Sequence, residues 1–194
     1  MNQAQWRLHA ANPAVHARII NDPVLPLYGC LMAQFNLWAP LAWPDAVVGL
    51  HIVYAWMPTI PNLQLPAGLT NAEQAQVVTF LNAARLRLLT DAELTFLKES
   101  FANNSMVGLS KLLHFLAPDR YAIWDKRVAT AWYAPAAPVY NHYTSPTEYC
   151  GYLGTLHGWA PAAHAGAIGA IRALSPHLEM VSDLRILELV LFHV

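Results

Sequence analysis

Apolar side chains recur along the chain at the three-to-four-residue spacing of an amphipathic helix. The clearest case follows Thr70, where Val77, Leu81, Ala84 and Leu88 would share one helical face. A second helix is expected after Thr90 and a third after Ser145. The same spacing predicts helices at further stretches, namely residues 3–20, 27–37, 44–56, 106–116, 125–132, 161–174 and 182–192. No run of alternating residues predicts a strand, so the expected fold class is all-α.

Three of the predicted helices begin with a Ser or Thr that is followed three residues later by Glu. Such a pair satisfies the free backbone amides of the first turn reciprocally. The pairs are Thr70 with Glu73, Thr90 with Glu93, and Ser145 with Glu148. Prolines predict irregular connections at residues 58–66 and 135–144. The pattern therefore predicts a single compact domain over residues 1–194, with about eight to ten helices forming two lobes around a cleft.

Composition limits the classes of protein that fit this pattern. The chain is 56% apolar and only 12% charged, which excludes an intrinsically disordered protein. Its most apolar region, residues 27–57, is broken by Pro40, Asp45 and His51 into pieces too short to cross a bilayer. Residues 1–21 contain Arg7 and Arg18 and lack the continuous apolar core of a signal peptide. We therefore expect a cytoplasmic protein with no membrane partner.

The cysteines, histidines and glycines do not form a known cofactor motif. Cys30 and Cys150 are too isolated for a disulfide framework, so both are predicted to be buried free thiols. The nine histidines include no His-x-x-x-His pair, and no metal site is expected. No phosphate loop, dinucleotide fingerprint or nucleophile elbow is present, and no cofactor is expected. Because the net charge is −1, any binding of nucleic acid must be local.

Residues 105–132 are the segment best suited to chemistry. They predict a helix that ends before Pro118, an extended link, and a further helix that begins at Asp125. Asp is a preferred helix N-cap, and the positive end of the helix dipole favours its ionised form. Basic residues make a local positive patch around it, namely Lys111, Arg120, Lys126 and Arg127. A fixed anion in such a patch suits the loss of a base from deoxyribose through an oxocarbenium-like state.

The order of these residues resembles the core of helix-hairpin-helix DNA glycosylases. Val107 and Gly108 precede Lys111 early in a helix, and the following link ends in Trp124 and Asp125. The resemblance covers residues 105–128 of the 194. It implies an enzyme that flips a modified base out of DNA, hydrolyses its N-glycosidic bond and leaves an abasic site. A role in phage defence, by removing glucosylated cytosine from viral DNA, is a further expectation of the same resemblance.

The resemblance also implies a role for each site residue. Asp125 would be the essential catalytic carboxylate, which stabilises the sugar cation or aligns the attacking water. Lys111 is the second catalytic candidate, but its spacing from Asp125 favours a monofunctional enzyme in which Lys111 contacts DNA or lines the pocket. The amides near Val107 and Gly108 would hold a phosphate. Further substrate or DNA contacts are expected from Ser110, His114, Trp124, Lys126 and Arg127.

Two other functions stay open from the sequence alone, and so does the oligomeric state. The chain could be a noncatalytic helical module with a cleft for a partner helix or small ligand. Asp125 would then be only a helix cap, and Lys111 would extend to solvent. Alternatively, Arg172 and His177 match the Arg-x4-His pattern of HEPN-like helical ribonucleases, although Pro176 is expected to end that helix.

Overall fold

The computed structural model describes residues 1–55, 68–159 and 161–194, and the side chains of residues 161–165 are outside this description. Within these ranges the chain is helical and contains no strand, which confirms the all-α prediction. A 3₁₀ helix, Pro176–Leu178, lies between the last two α-helices. The α-helices are α1 Gln3–Ala10, α2 Pro13–Ile20, α3 Leu25–Asn36, α4 Trp43–Ala55, α5 Asn71–Ala84, α6 Asp91–Ser100, α7 Met106–Leu116, α8 Lys126–Tyr133, α9 Tyr140–Thr144, α10 Pro146–Gly158, α11 Pro161–Arg172 and α12 Asp183–Phe192.

Side-chain caps define the helix starts that the sequence predicted. The Thr70 hydroxyl accepts the Glu73 N–H at 3.3 Å, and the Glu73 carboxylate accepts the Thr70 N–H at 2.8 Å. Thr90 and Glu93 make the same reciprocal pair at the start of α6. Ser145 caps α10 by accepting the N–H of Glu148. These three predicted helix starts are confirmed.

The predicted helix count is too low for the described residues. The single helix predicted over residues 3–20 is two helices, because Asn12 caps a new helix in which Pro13 is the first residue. The loop predicted over residues 135–144 contains the short helix α9. The described ranges therefore hold twelve α-helices. The irregular connection predicted at residues 58–66 lies outside the described residues.

Two buried helices, α7 and α12, organise the core. In α7 only Val107 is not buried, and the helix packs against α3, α4 and α5. In turn, α12 packs against α1, α8, α10 and α11. Trp6 of α1 donates its indole N–H to the Leu187 carbonyl of α12 at 3.0 Å, and this bond joins the first and last helices. Charged side chains also lie buried among the described residues, namely Asp22, Lys111, Arg185 and Glu188.

The prediction of two buried thiols is wrong. Cys30 is exposed and Cys150 is half-buried, and both are free. The buried face of α3 carries Tyr28, and a residue two positions further on points to the opposite side of a helix. Among the residues described, none of the helices has the length and apolar character needed to cross a membrane.

Candidate functional site

The link between α7 and α8 is fixed by polar side chains of α7. Ser110 accepts the backbone N–H of Trp124 through its hydroxyl at 3.0 Å. The Nδ1 atom of His114 lies 2.7 Å from the carbonyl oxygen of Tyr121. Each bond satisfies a backbone group that would otherwise be buried without a partner. The two bonds therefore tie the link to α7 just before Asp125.

Asp125 caps α8, as the sequence predicts. Its Oδ1 atom accepts the backbone N–H groups of Arg127 at 2.9 Å and of Val128 at 3.0 Å. The side chain is half-buried, and the positive end of the α8 dipole favours a negative charge there. Within the described part of the chain no hydrogen bond reaches Oδ2. One carboxylate oxygen therefore anchors the residue at the start of α8.

Lys111 lies inside the protein rather than extending to solvent. It is only 8% exposed, on the buried helix α7. Burial lowers the pKa of its amine, the positive charge of Arg185 lowers it further, and the Asp125 carboxylate opposes both effects. The two residues that the sequence singled out are therefore electrostatic neighbours.

A buried ion pair on α12 completes this group of charges. Arg185 pairs with Glu188 one turn later, and their side chains are 9% and 0% exposed. Arg185 also interacts electrostatically with Asp125 and Lys111. We call Lys111, Asp125, Arg185 and Glu188 the inner charge cluster. Its formal charges balance, which lowers the cost of placing them in a medium of low dielectric constant.

Sequence reasoning missed the two members on α12. Charged residues at this spacing are usually an exposed helix face, with a pair worth only a few tenths of a kcal/mol. The available signal was the apolar character of α12 on every side, since a helix that is apolar all round is buried. Apolar residues flank both charges, namely Leu184, Ile186, Leu187 and Leu189.

His114 is a core residue that holds the link. Its Nδ1–H donates to Tyr121, so its Nε2 atom accepts the hydroxyl of Tyr28 at 2.8 Å. Burial, with a smaller effect from Arg185, lowers the pKa of His114 to about 3, and the ring is neutral. The sequence predicted a substrate or DNA contact for His114. The structure places this ring where it is fully buried.

Val107 and Gly108 stand at the start of α7, where a phosphate contact was predicted. Val107 is half-buried and Gly108 is buried. The Gly108 N–H donates to the Ser105 hydroxyl at 3.1 Å. A Cβ atom at Gly108 would lie 2.6 Å from the Tyr54 ring, so the glycine allows a close helix contact. Its amide is already bonded and covered by packing.

The remaining predicted site residues either support the link between α7 and α8 or lie on the surface. Ser110 and Trp124 are fully buried, and the Trp124 ring centroid lies 4.5 Å from that of Tyr152. Lys126 and Arg127 are exposed at the start of α8. Exposed basic residues thus follow Asp125 directly in the chain, while Ser110 and Trp124 support the link from within.

Arg172 and His177, the two residues that match the ribonuclease pattern, do not lie on one helix. α11 ends at Arg172, and Pro176 begins the 3₁₀ helix that contains His177. The Arg172 guanidinium donates to the Val181 carbonyl at 2.8 Å and to Asp183 at 2.5 Å. Arg172 therefore joins α11 to the start of α12.

A surface cleft of about 390 Å³, which we call the Arg172 cleft, lies beside the start of α12. It is lined by Asp119, Leu156, His157, Trp159, Arg172, Ser182, Asp183, Leu184 and Leu187. Neither this cleft nor a neighbouring cavity of about 350 Å³ is lined by Lys111 or Asp125 among the residues described. In the same ranges of the chain, His, Cys, Asp and Glu form no group of three that could hold a metal ion.

The sequence matches no protein-family model, no curated protein and no solved structure. Function is therefore argued from the chemistry of the inner charge cluster and of the basic residues beside it.

Proposed function

We propose that the chain is a monofunctional DNA glycosylase that hydrolyses the N-glycosidic bond of a modified base and leaves an abasic site. The observation that carries the proposal is the Asp125 carboxylate, anchored through Oδ1 at the start of α8 beside buried Lys111. The proposal includes a helix-hairpin-helix-like core over residues 105–132 and two lobes around a DNA-binding cleft. It requires no metal or other cofactor.

The proposed chemistry needs a fixed negative charge at the sugar. As the base departs, positive charge develops on the deoxyribose ring, and a carboxylate held in place stabilises it without reorganisation. Two backbone N–H groups hold Oδ1, so Oδ2 can face the sugar cation or align the attacking water. Attack of that water gives the abasic sugar and the free base. The same N-cap geometry would therefore allow Asp125 to stabilise the sugar cation and to align the water.

DNA binding would use the exposed cations next to the carboxylate. Lys126 and Arg127 flank Asp125, and half-buried Arg120 lies in the preceding link. Lys and Arg bind phosphates mainly through charge, so affinity should fall steeply with added salt. The site would read a base flipped out of the duplex, since a stacked base does not reach the carboxylate. Glucosylated cytosine is the first modified base to test.

The decisive experiment replaces Asp125 by Asn. Asn is as good an N-cap as Asp, so α8 and the fold should be kept while the negative charge is lost. Abasic-site formation, measured on duplex DNAs that carry a panel of modified bases, should fall at least about 100-fold. Circular dichroism checks the fold. Asp119→Asn, at an exposed carboxylate earlier in the same link, is the matched control and should retain activity.

Borohydride trapping, together with a Lys111 variant, distinguishes the monofunctional from the bifunctional mechanism. Borohydride should trap no covalent adduct between the protein and the DNA if the enzyme is monofunctional. An adduct that is lost in Lys111→Gln would show that the amine is the nucleophile. A fully active Asp125→Asn protein would contradict the glycosylase proposal itself.

A noncatalytic binding module is the second candidate, favoured by the Arg172 cleft. This open cleft of about 390 Å³ combines Trp159 with charged side chains. Such a module would not be retained on DNA at low salt, and none of the modified DNAs would acquire abasic sites. Retention on DNA together with base release favours the glycosylase.

A further inference from the structure

Arg185 and Glu188 are costly residues for the interior of a helical protein. Taking two charges out of water often costs more than their attraction returns, and apolar residues of similar volume are frequently as stable. The pair is also incompletely bonded, since Arg185 Nε and Glu188 Oε1 have no hydrogen-bond partner among the described residues. A contribution to stability therefore does not by itself explain the presence of this buried pair.

The helix that carries the pair, α12, packs against α8, the helix that Asp125 caps. Arg185 interacts electrostatically with Asp125 of the link and with Lys111 of α7. Its guanidinium carbon also lies 5.8 Å from the ring centroid of Tyr28 on α3. The planar group therefore lies between α12 and α3. Glu188 binds it from α12 itself, one turn further along the helix.

We infer that Arg185 is a positioning residue of the site and that Glu188 holds its guanidinium in place. Arg185 supplies a fixed positive charge that attracts the Asp125 carboxylate and repels a charged amine on Lys111. The catalytic consequence of this arrangement rests on the proposed glycosylase function. The electrostatic relation between Arg185 and Lys111 can be measured without it.

Charged groups on neighbouring elements act on Lys111. Among the described residues, Asp125 raises the pKa of Lys111 and Arg185 lowers it. Other titratable groups act on Arg185 from the surrounding elements, namely Asp22 before α3, Tyr28 on α3 and Tyr152 on α10. The tyrosines are neutral near pH 7, because burial raises their pKa values, that of Tyr28 to about 12. His114 on α7 is neutral as well.

The test is an NMR titration of the lysine side chains in the intact protein. The chain has three lysines, Lys98, Lys111 and Lys126, so ¹³Cε-labelled protein gives few resonances, and Lys111→Gln assigns the one of interest. The double variant Arg185→Gln/Glu188→Gln keeps polar side chains but removes both charges. The pKa of Lys111 should rise by about half a unit or more, a threefold change in its protonation equilibrium. Lys126, which is exposed, serves as the internal reference.

Two further variants make the result specific. Arg185→Lys retains the charge and should leave the Lys111 titration near that of the wild type. Arg172→Gln/Asp183→Asn removes the more exposed ion pair at the start of α12 and should have no effect on Lys111. If the Gln pair does not fold, Arg185→Met/Glu188→Leu removes the same charges with apolar side chains.

Activity provides an independent readout. The pH profile of abasic-site formation should shift in the Gln pair and return toward the wild type in Arg185→Lys. An unchanged Lys111 titration in the charge-free pair would overturn the inference, whether or not the protein acts on DNA. A wild-type protein that forms no abasic sites would instead contradict the proposed function, and the titration would still decide the electrostatic role of Arg185.

Discussion

Two ion pairs between described residues involve α12, and they differ mainly in their contact with water. The outer pair, Arg172 with Asp183, has side chains that are 33% and 42% exposed. The inner pair, Arg185 with Glu188, has side chains that are 9% and 0% exposed. The outer charges keep much of their hydration, so their pairing adds at most about 1 kcal/mol. Each inner charge is shielded from water and is stabilised mainly by its partner. Breaking the inner pair should therefore lower the free energy of unfolding much more than breaking the outer pair.

The largest difference should appear when one inner partner is removed. Glu188→Ala leaves the Arg185 charge buried without its counterion, and the free energy of unfolding should fall by about 3–5 kcal/mol. Urea denaturation followed by circular dichroism measures this change. The control Arg185→Met/Glu188→Leu removes both charges and should be close to wild type or more stable. A loss below about 1 kcal/mol in Glu188→Ala would show that the two pairs are energetically alike.

The second-largest effect should come from acid, which destabilises the folded protein through buried His114. The pKa of His114 is about 3 in the folded protein and near 6.5 when exposed, mainly because the folded ring is buried. Between these values the unfolded chain binds the extra proton, so this contribution to stability is lost as pH falls from about 6.5 toward 3. At pH 4 the loss should be roughly 3 kcal/mol.

Urea denaturation over this pH range should have a smaller slope with pH in His114→Gln than in the wild type. His51→Gln, at an exposed histidine, is the matched control and should keep the wild-type slope. Equal slopes in His114→Gln and wild type would mean that His114 accepts a proton inside the core without cost.

The smallest effect should come from the outer pair. Asp183→Asn removes its charge, but Arg172 keeps its 2.8 Å hydrogen bond to the Val181 carbonyl. The free energy of unfolding should fall by less than about 1 kcal/mol, and by less still at high salt. Thermal denaturation at low and high ionic strength measures both. A loss above about 2 kcal/mol would place the outer pair in the same energetic class as the inner one.

The features that could be predicted from the sequence are those set by local residues. Asp125 at the start of α8 and the bounds of α7 follow from capping and from apolar spacing within a few residues. The separation of α1 from α2 at Asn12 and Pro13 was also a local signal, but the continuous spacing of apolar residues concealed it.

The features that could not be predicted depend on residues distant in sequence. His114 is a core residue because Tyr28, 86 positions earlier, bonds to its ring. Gly108 is a packing glycine because Tyr54 of α4 lies against it. The charge of Arg185 acts on Asp125 because α12, far along the chain, packs against the helix that Asp125 caps. Periodicity identifies a buried helix face, but it does not identify the residues that the face will meet.

The hydrogen bond from Trp6 to the Leu187 carbonyl has a consequence for synthesis of the chain. Proteins emerge from the ribosome from the N-terminus onward, and α12 follows every other described helix. Until α12 emerges, the nascent chain lacks the surface that Trp6 and Tyr28 pack against in the finished protein. A ribosome that pauses before Asp183 would therefore carry an incomplete core with exposed apolar surface. Chaperone binding to stalled nascent chains should be greatest just before this helix is made.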